Sequence, residues 1–327
     1  MLQARVLKAY NKTSILEVPA LIEEEEKGCK SAFLEQLGQK TLVMDGAMGT
    51  MLQQYGLKAG ECPEMFNIAN PDTVKKIHTS YLEAGADIIL TNTFGANGLK
   101  LQKYGFRDQL SEINIKSAEL AKAAIKDFQK IHAVPLFVAG SIGPTGEILE
   151  PYGTVKKEEV LKAYQEQVNA LTSTGVDFIL LETFYNLDEI KIALKAVKEN
   201  SNSPVLASMS FDESLRTIYG ITPEKAIEVL FQEGTDGVGA NCGSGPDVLY
   251  KVVAKMREIT DAPLLVKPNA GIPYLENGKE VYPATPQEMA EYTEKYIQLR
   301  INIIGGCCGT TPEHIRAIAK TVKKHHR

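Results

Sequence analysis

Three cysteines stand where they could act together. Cys242 lies in GVGANCGSGP (237–246), and Cys307 and Cys308 adjoin in INIIGGCCGTTP (301–312). Each follows a short apolar run ending in glycine, and helix-starting residues come next: the order of a strand, a loop and a helix. Three thiols on converging loops make a candidate Zn2+ site, and zinc with three protein ligands keeps one position open for catalysis. A substrate thiol taken into that position loses its proton, because the metal depresses its pKa. A free alkyl thiol, with a pKa of about 8.5, is only a few per cent ionised at neutral pH. The chemistry expected is therefore S-alkylation of a thiol.

Other readings of the same residues are plainer. A buried cysteine is often a small hydrophobe, and adjacent cysteines can form a vicinal disulfide. Glycine loops after barrel strands can cradle phosphate, as GGCCGTT (305–311) or GSGPDV (243–248) could. Three thiols, all at expected strand ends, favour zinc over these. Cys29 and Cys62 lie away from strand ends and read as non-ligands.

Polar residues at the other strand ends complete the picture. Asn269 in PNAG could offer its side-chain oxygen as a fourth zinc ligand when substrate is absent. Glu182 closes LLETF; with a metal to deprotonate the thiol no base is needed, so Glu182 reads as the partner of a substrate amine. Asp45 in MDGAMGT could simply cap its turn, yet the N–H groups of Gly46 and Ala47 beside it could bind a carboxylate. Thr93, Ser141 and Asn241 end strands of their own and are candidate substrate contacts. An amine site, a carboxylate site and a metal-bound sulfur describe a thiol amino acid. His78, His132 and His314 lie in or beside helical segments and read as packing or surface, and His325 and His326 end a basic tail.

What positions these residues is an alternation. Apolar, β-branched runs occur at 41–49, 86–95, 135–143, 176–184, 204–211, 236–243, 263–271 and 302–309. Most are apolar for several residues in succession, as strands buried on both faces are. Segments of helical period separate them, at 71–85, 111–128, 157–175, 187–200, 222–234, 245–259, 285–300 and 311–325. Three open on Thr-Pro, making Thr222, Thr285 and Thr311 N-cap candidates. Eight such units predict an α/β fold, a (β/α)8 TIM barrel over residues 41–327; an open doubly wound sheet usually has fewer strands. Residues 1–40 form a short N-terminal extension. Within it CKSAFLEQLGQ reads as a helix able to plug the N-terminal end of the barrel, and Glu23–Glu26 as a solvated face or flexible arm.

Composition narrows the partners. The 327 residues are 44% hydrophobic and 24% charged, ordinary for a globular protein. A net charge of −5 argues against nucleic acid. No apolar stretch reaches a membrane span, and the start lacks the order of a secretion signal. Five cysteines without disulfide-framework spacing fit a reducing cytoplasm.

The motifs MDGAMGT, TNTFGA, GSIGPTGE, ETF, NCG, PNAG and GGCCGTTPEHI resemble those of the homocysteine S-methyltransferase family, from about residue 40 onward. The likeness is strongest to the homocysteine-binding domain of cobalamin-dependent methionine synthase. The resemblance implies a (β/α)8 barrel, zinc on Cys242, Cys307 and Cys308, and homocysteine held by Asp45 and Glu182. It implies methyl transfer to homocysteine, giving methionine, with methylcobalamin on a separate corrinoid protein or domain as donor. Two features depart from the family pattern. There is no D-x-H-x-x-G run, the family's cobalamin-binding mark, and there is no Trp of the kind the betaine-using branch places around its donor. Two rivals remain: a sulfonium donor such as S-methylmethionine, and a zinc-bearing subunit that docks without alkylating a thiol. A phosphate-binding barrel would need basic groups near its last strands, where Lys267 stands alone.

Overall fold

The computed structural model describes residues 31–276 and 279–325. Glu23–Glu26 and Cys29 lie outside the described residues. Eight parallel strands form one sheet: β1 (Leu42–Val43), β2 (Ile88–Leu90), β3 (Phe137–Ile142), β4 (Phe178–Phe184), β5 (Val205–Met209), β6 (Gly237–Asn241), β7 (Leu264–Lys267) and β10 (Ile303–Ile304). Between β7 and β10 the chain adds an antiparallel hairpin of β8 (Tyr274–Glu276) and β9 (Lys279–Val281). The sheet runs β1-β10-β7-β6-β5-β4-β3-β2, and a parallel Met44–Ile88 bridge joins β1 to β2. The expected TIM barrel is thus the observed fold. Each of the eight expected strands and eight expected helices is present, within or beside the range its pattern predicts.

Strand alternation divides the core into two shells. Leu42, Met44, Ile88, Leu90, Phe137, Ala139, Phe178, Leu180, Leu206, Leu265 and Ile303 pack together inside the barrel. The residues between them in sequence, such as Val43, Ile89, Val138, Ile179, Ala207, Val266 and Ile304, pack outward beneath the helices. This is the two-residue period of a strand, seen on both faces because both are covered. Gly239 of β6 fits the same layering: a Cβ there would lie 2.0 Å from the Leu265 carbonyl oxygen.

A short helix, Ala32–Leu37, closes the lower end. Ser31 caps it by accepting from Leu34 N–H, and its Phe33 and Leu37 enter the inner shell. Phe33 stacks on Phe178 with centroids 3.9 Å apart and meets Phe137 edge-on at 5.6 Å. Phe33→Ala should cost about 3–5 kcal/mol, as for other buried aromatics, read as a lower urea midpoint with unchanged slope.

The helix starts show local sequence logic. Thr222 and Thr285 accept from the N–H three residues on, ahead of a proline that fits the first helical position. At Thr311 the pattern differs: its N–H donates to His314 Nδ1, and His314 Nε2 is 2.9 Å from the Ala284 carbonyl. His314 thereby ties the last helix to the segment after β9. His78 is fully buried on the helix Pro71–Ala84, and burial lowers its pKa to about 4. It packs as a neutral ring. His132 stacks on Phe128.

Candidate metal and substrate site

The inward parity of the strands continues past the apolar layer and becomes polar. Ser141 follows Ala139, Glu182 follows Leu180, Ser208 follows Leu206, Asn241 follows Gly239 and Lys267 follows Leu265, each two residues on. All five are buried. This layer lies at the strand C-terminal ends, where barrels carry their reactive groups.

The three cysteines rise from β6 and β10, which flank β7. Their sulfurs lie within 4.8 Å of one another, with Cys242 and Cys308 Sγ 3.9 Å apart. All are free thiols, so the adjacent pair is not a disulfide. Backbone bonds fix the loops. Cys242 N–H donates to the Lys267 carbonyl, Cys307 N–H to that of Pro268, and Ala270 N–H to that of Cys308. Cys242 has a φ of +58°, unusual for a residue with a side chain. That left-handed turn, continued at Gly243, carries its thiol off the strand direction. Gly309, also left-handed, lies against Tyr282, where a Cβ would come within 2.1 Å of the ring.

The protonated cluster holds its protons firmly. For Cys242 and Cys308 one thiol hydrogen bond favours ionisation, but the other, with burial and neighbouring thiols, pushes both up to about 12. Cys307 is raised as well, first by its bond with Cys242. Such thiols become ligands when a cation replaces their protons. Asn269 is buried and its Oδ1 has no hydrogen-bond partner among the described residues. Cys62 belongs elsewhere: its thiol lies 3.2 Å from Glu64 Oε2, and burial first, then Glu64, raises it to about 12.

Glu182 is more engaged than its sequence position suggests. Ser141 Oγ donates to Oε1 at 2.6 Å, and Lys267 Nζ lies 3.1 Å from Oε2. Burial would lower the Lys267 ammonium, but Glu182, Asp45 and Cys307 more than offset it and hold its pKa above the ordinary value. Lys267 is the site residue that candidate selection by type passed over. Parity marks it, two positions after inward Leu265.

Asp45 presents one satisfied and one unsatisfied oxygen. Leu90 N–H donates to Oδ2 at 2.8 Å, while buried Oδ1 has no partner among the described residues. Burial raises the Asp45 carboxyl to about 7, against the opposing pull of Lys267. The turn after it is held by Tyr81, whose hydroxyl donates to the Ala47 carbonyl at 2.7 Å. A Cβ on Gly46 would come within 2.9 Å of Tyr81 and 2.7 Å of Thr310 Oγ1.

Three of the expected substrate contacts also bond within the protein. Ala47 N–H donates to Thr310 Oγ1, whose own proton goes to the Cys307 carbonyl. Thr310 therefore joins the Asp45 turn to the cysteine loop. Thr93 Oγ1 donates to the Ser141 carbonyl, and the Thr93 carbonyl accepts from Gln167. Asn241 Oδ1 accepts from Thr183 N–H and Ser208 Oγ, and its Nδ2 donates to Thr183 Oγ1 and faces Cys307 Sγ at 3.9 Å. These bonds pin Thr183 at a φ of +64°, where β4 shifts register beside Glu182. The amide of Asn241 is spent on shaping the site.

The barrel thus brings two buried carboxylates and three convergent thiols to the C-terminal ends of its strands. The sequence profile of the homocysteine S-methyltransferase family matches residues 42–322. The chain belongs to that family and is a methyltransferase acting on homocysteine. It is similar in structure to the homocysteine methyltransferase MmuM from Escherichia coli. Against the metallated form the TM-score is 0.74 at 24% identity, and against the oxidized form 0.73 at 25%, each covering 86% of this chain and 96% of that one. A methyltransferase from Methanosarcina mazei shares the fold at 12% identity and a TM-score of 0.57, over 90% of this chain and 98% of that one. Among the described residues no helix is long and apolar enough to cross a membrane.

Proposed function

We propose that this chain transfers a methyl group to homocysteine with the aid of zinc, and that the donor is a methylcorrinoid carried by a separate protein or domain. The observation that carries the zinc reading is the set of three free thiols within 4.8 Å of one another. The donor set fits zinc, for which thiolates are preferred ligands. The unpaired Asn269 oxygen is the fourth donor we assign when homocysteine is absent. Zinc on Cys242, Cys307 and Cys308 would supply a substrate thiolate at neutral pH.

The protein groups orient the rest of the molecule. Asp45 Oδ1 accepts from the substrate ammonium, and Glu182 faces the same cation with its remaining lone pairs. Gly46 N–H, in the turn braced by Tyr81 and Thr310, meets the substrate carboxylate. The thiolate attacks the methyl carbon, the bond from carbon to its carrier breaks, and its electron pair leaves with the carrier. Thr93 and Asn241 hold the surrounding backbone, and Ser141 holds Glu182.

A large donor suits the rim. Ile148, Tyr152, Ile218, Tyr219, Ile272 and Leu275 are exposed on loops after β3, β5 and β7, on the same face as the cysteines. The deciding experiment mixes zinc-loaded protein, homocysteine and free methylcobalamin and follows methionine. Formation above the rate without enzyme, abolished by a chelator, supports the proposal. Turnover with S-methylmethionine alone would replace the donor, and zinc binding with no alkylation would reduce the chain to a docking subunit.

A further inference from the structure

Lys267 is the only Lys or Arg buried among the described residues, with a side chain 3% exposed against 8% for its partner Glu182. Replacing a buried ion pair with apolar residues is often neutral or stabilising, so such a pair is weak support for a purely structural role. Its position suggests another. Glu182 receives one donor per oxygen, Ser141 from β3 and Lys267 from β7. Two donors from different strands fix the plane of the carboxylate and leave each oxygen a lone pair. Asp45 is left more open, with Leu90 N–H on one oxygen and no partner for the other among the described residues.

We infer that Lys267 is a positioning residue, fixing Glu182 so that it and the open oxygen of Asp45 converge on one substrate ammonium, and thereby selecting an amino-bearing thiol over one without an amine. The inference rests on the reading of homocysteine as acceptor and adds to it the group that sets the preference. It also accounts for a cation in a site meant to bind one. With its one short contact to Glu182, Lys267 holds that carboxylate in orientation.

The test compares binding of homocysteine and of 4-mercaptobutanoate, which lacks the amine, to zinc-loaded full-length protein by calorimetry. The unmodified protein should prefer homocysteine. Lys267→Met should keep zinc and fold, weaken homocysteine by about tenfold or more, as loss of a buried charge partner does, and leave 4-mercaptobutanoate little changed. Lys267→Arg should restore part of the preference. If Lys267→Met does not fold, Lys267→Gln, with a neutral donor in place of the ammonium, should lose part of the preference for homocysteine, and the same outcomes decide. A folded, zinc-loaded variant that loses both thiols equally, or neither, overturns the inference. Failure of the unmodified protein to bind homocysteine overturns the acceptor reading instead.

Discussion

Cys308→Ser is expected to lose bound zinc and, with it, methyl transfer to homocysteine by more than about a hundredfold. Even partners that only support metal ligands are worth 10–100-fold in affinity or activity, and a ligand is worth more. The fold should survive, because the Cys308 carbonyl that accepts from Ala270 N–H belongs to the backbone. The hydroxyl is a poor replacement, since it keeps its proton where a thiol would give it up to the metal. Zinc stoichiometry by mass spectrometry, beside methionine formation, checks the result. Full zinc with full activity would sink the ligand assignment.

Glu182→Gln should retain zinc yet weaken homocysteine binding by about 2–5 kcal/mol, the range for removing one side of a buried charged contact. The structure adds a second effect. Lys267, 3.1 Å away and buried, loses its counter-charge, and an uncompensated buried charge costs about 3–5 kcal/mol of stability. The variant should therefore show both a lower unfolding midpoint and a weaker substrate affinity, with metal content unchanged. Calorimetric titration with homocysteine and urea unfolding measure the two separately. An affinity equal to that of the unmodified protein would remove Glu182 from the substrate site.

The barrel was legible because its pattern is repeated eight times and buried on both faces. Even β1 and β10, two residues long, stand inside longer apolar runs. The elements that sequence pattern missed are those with no period to show. The helices Gly49–Gln54 and Gly98–Lys103 span too few turns. In the hairpin, Tyr274, Leu275 and Glu276 are all exposed, so alternation has no buried face to report. The cysteines were found by type and spacing. Lys267 was weighed only as a lone phosphate contact, because its parity with inward Leu265 was not counted. The left-handed turns at Thr183 and Cys242 lie beyond any residue preference. They are imposed by tertiary bonds such as the Asn241 clamp, which no local stretch encodes.

The helix that closes the lower end bears on how the gene should be cut. The family profile begins at residue 42, and an expression boundary drawn there would look natural. It would discard Phe33 and Leu37, which belong to the same inner shell as Phe137 and Phe178. It would also strip Asn302 of the Leu37 carbonyl to which its side chain donates. The homology edge and the folding edge are different places in this chain. A boundary that respects the second keeps the helix and its Ser31 cap, which lies about three helical turns upstream of where alignment alone would cut.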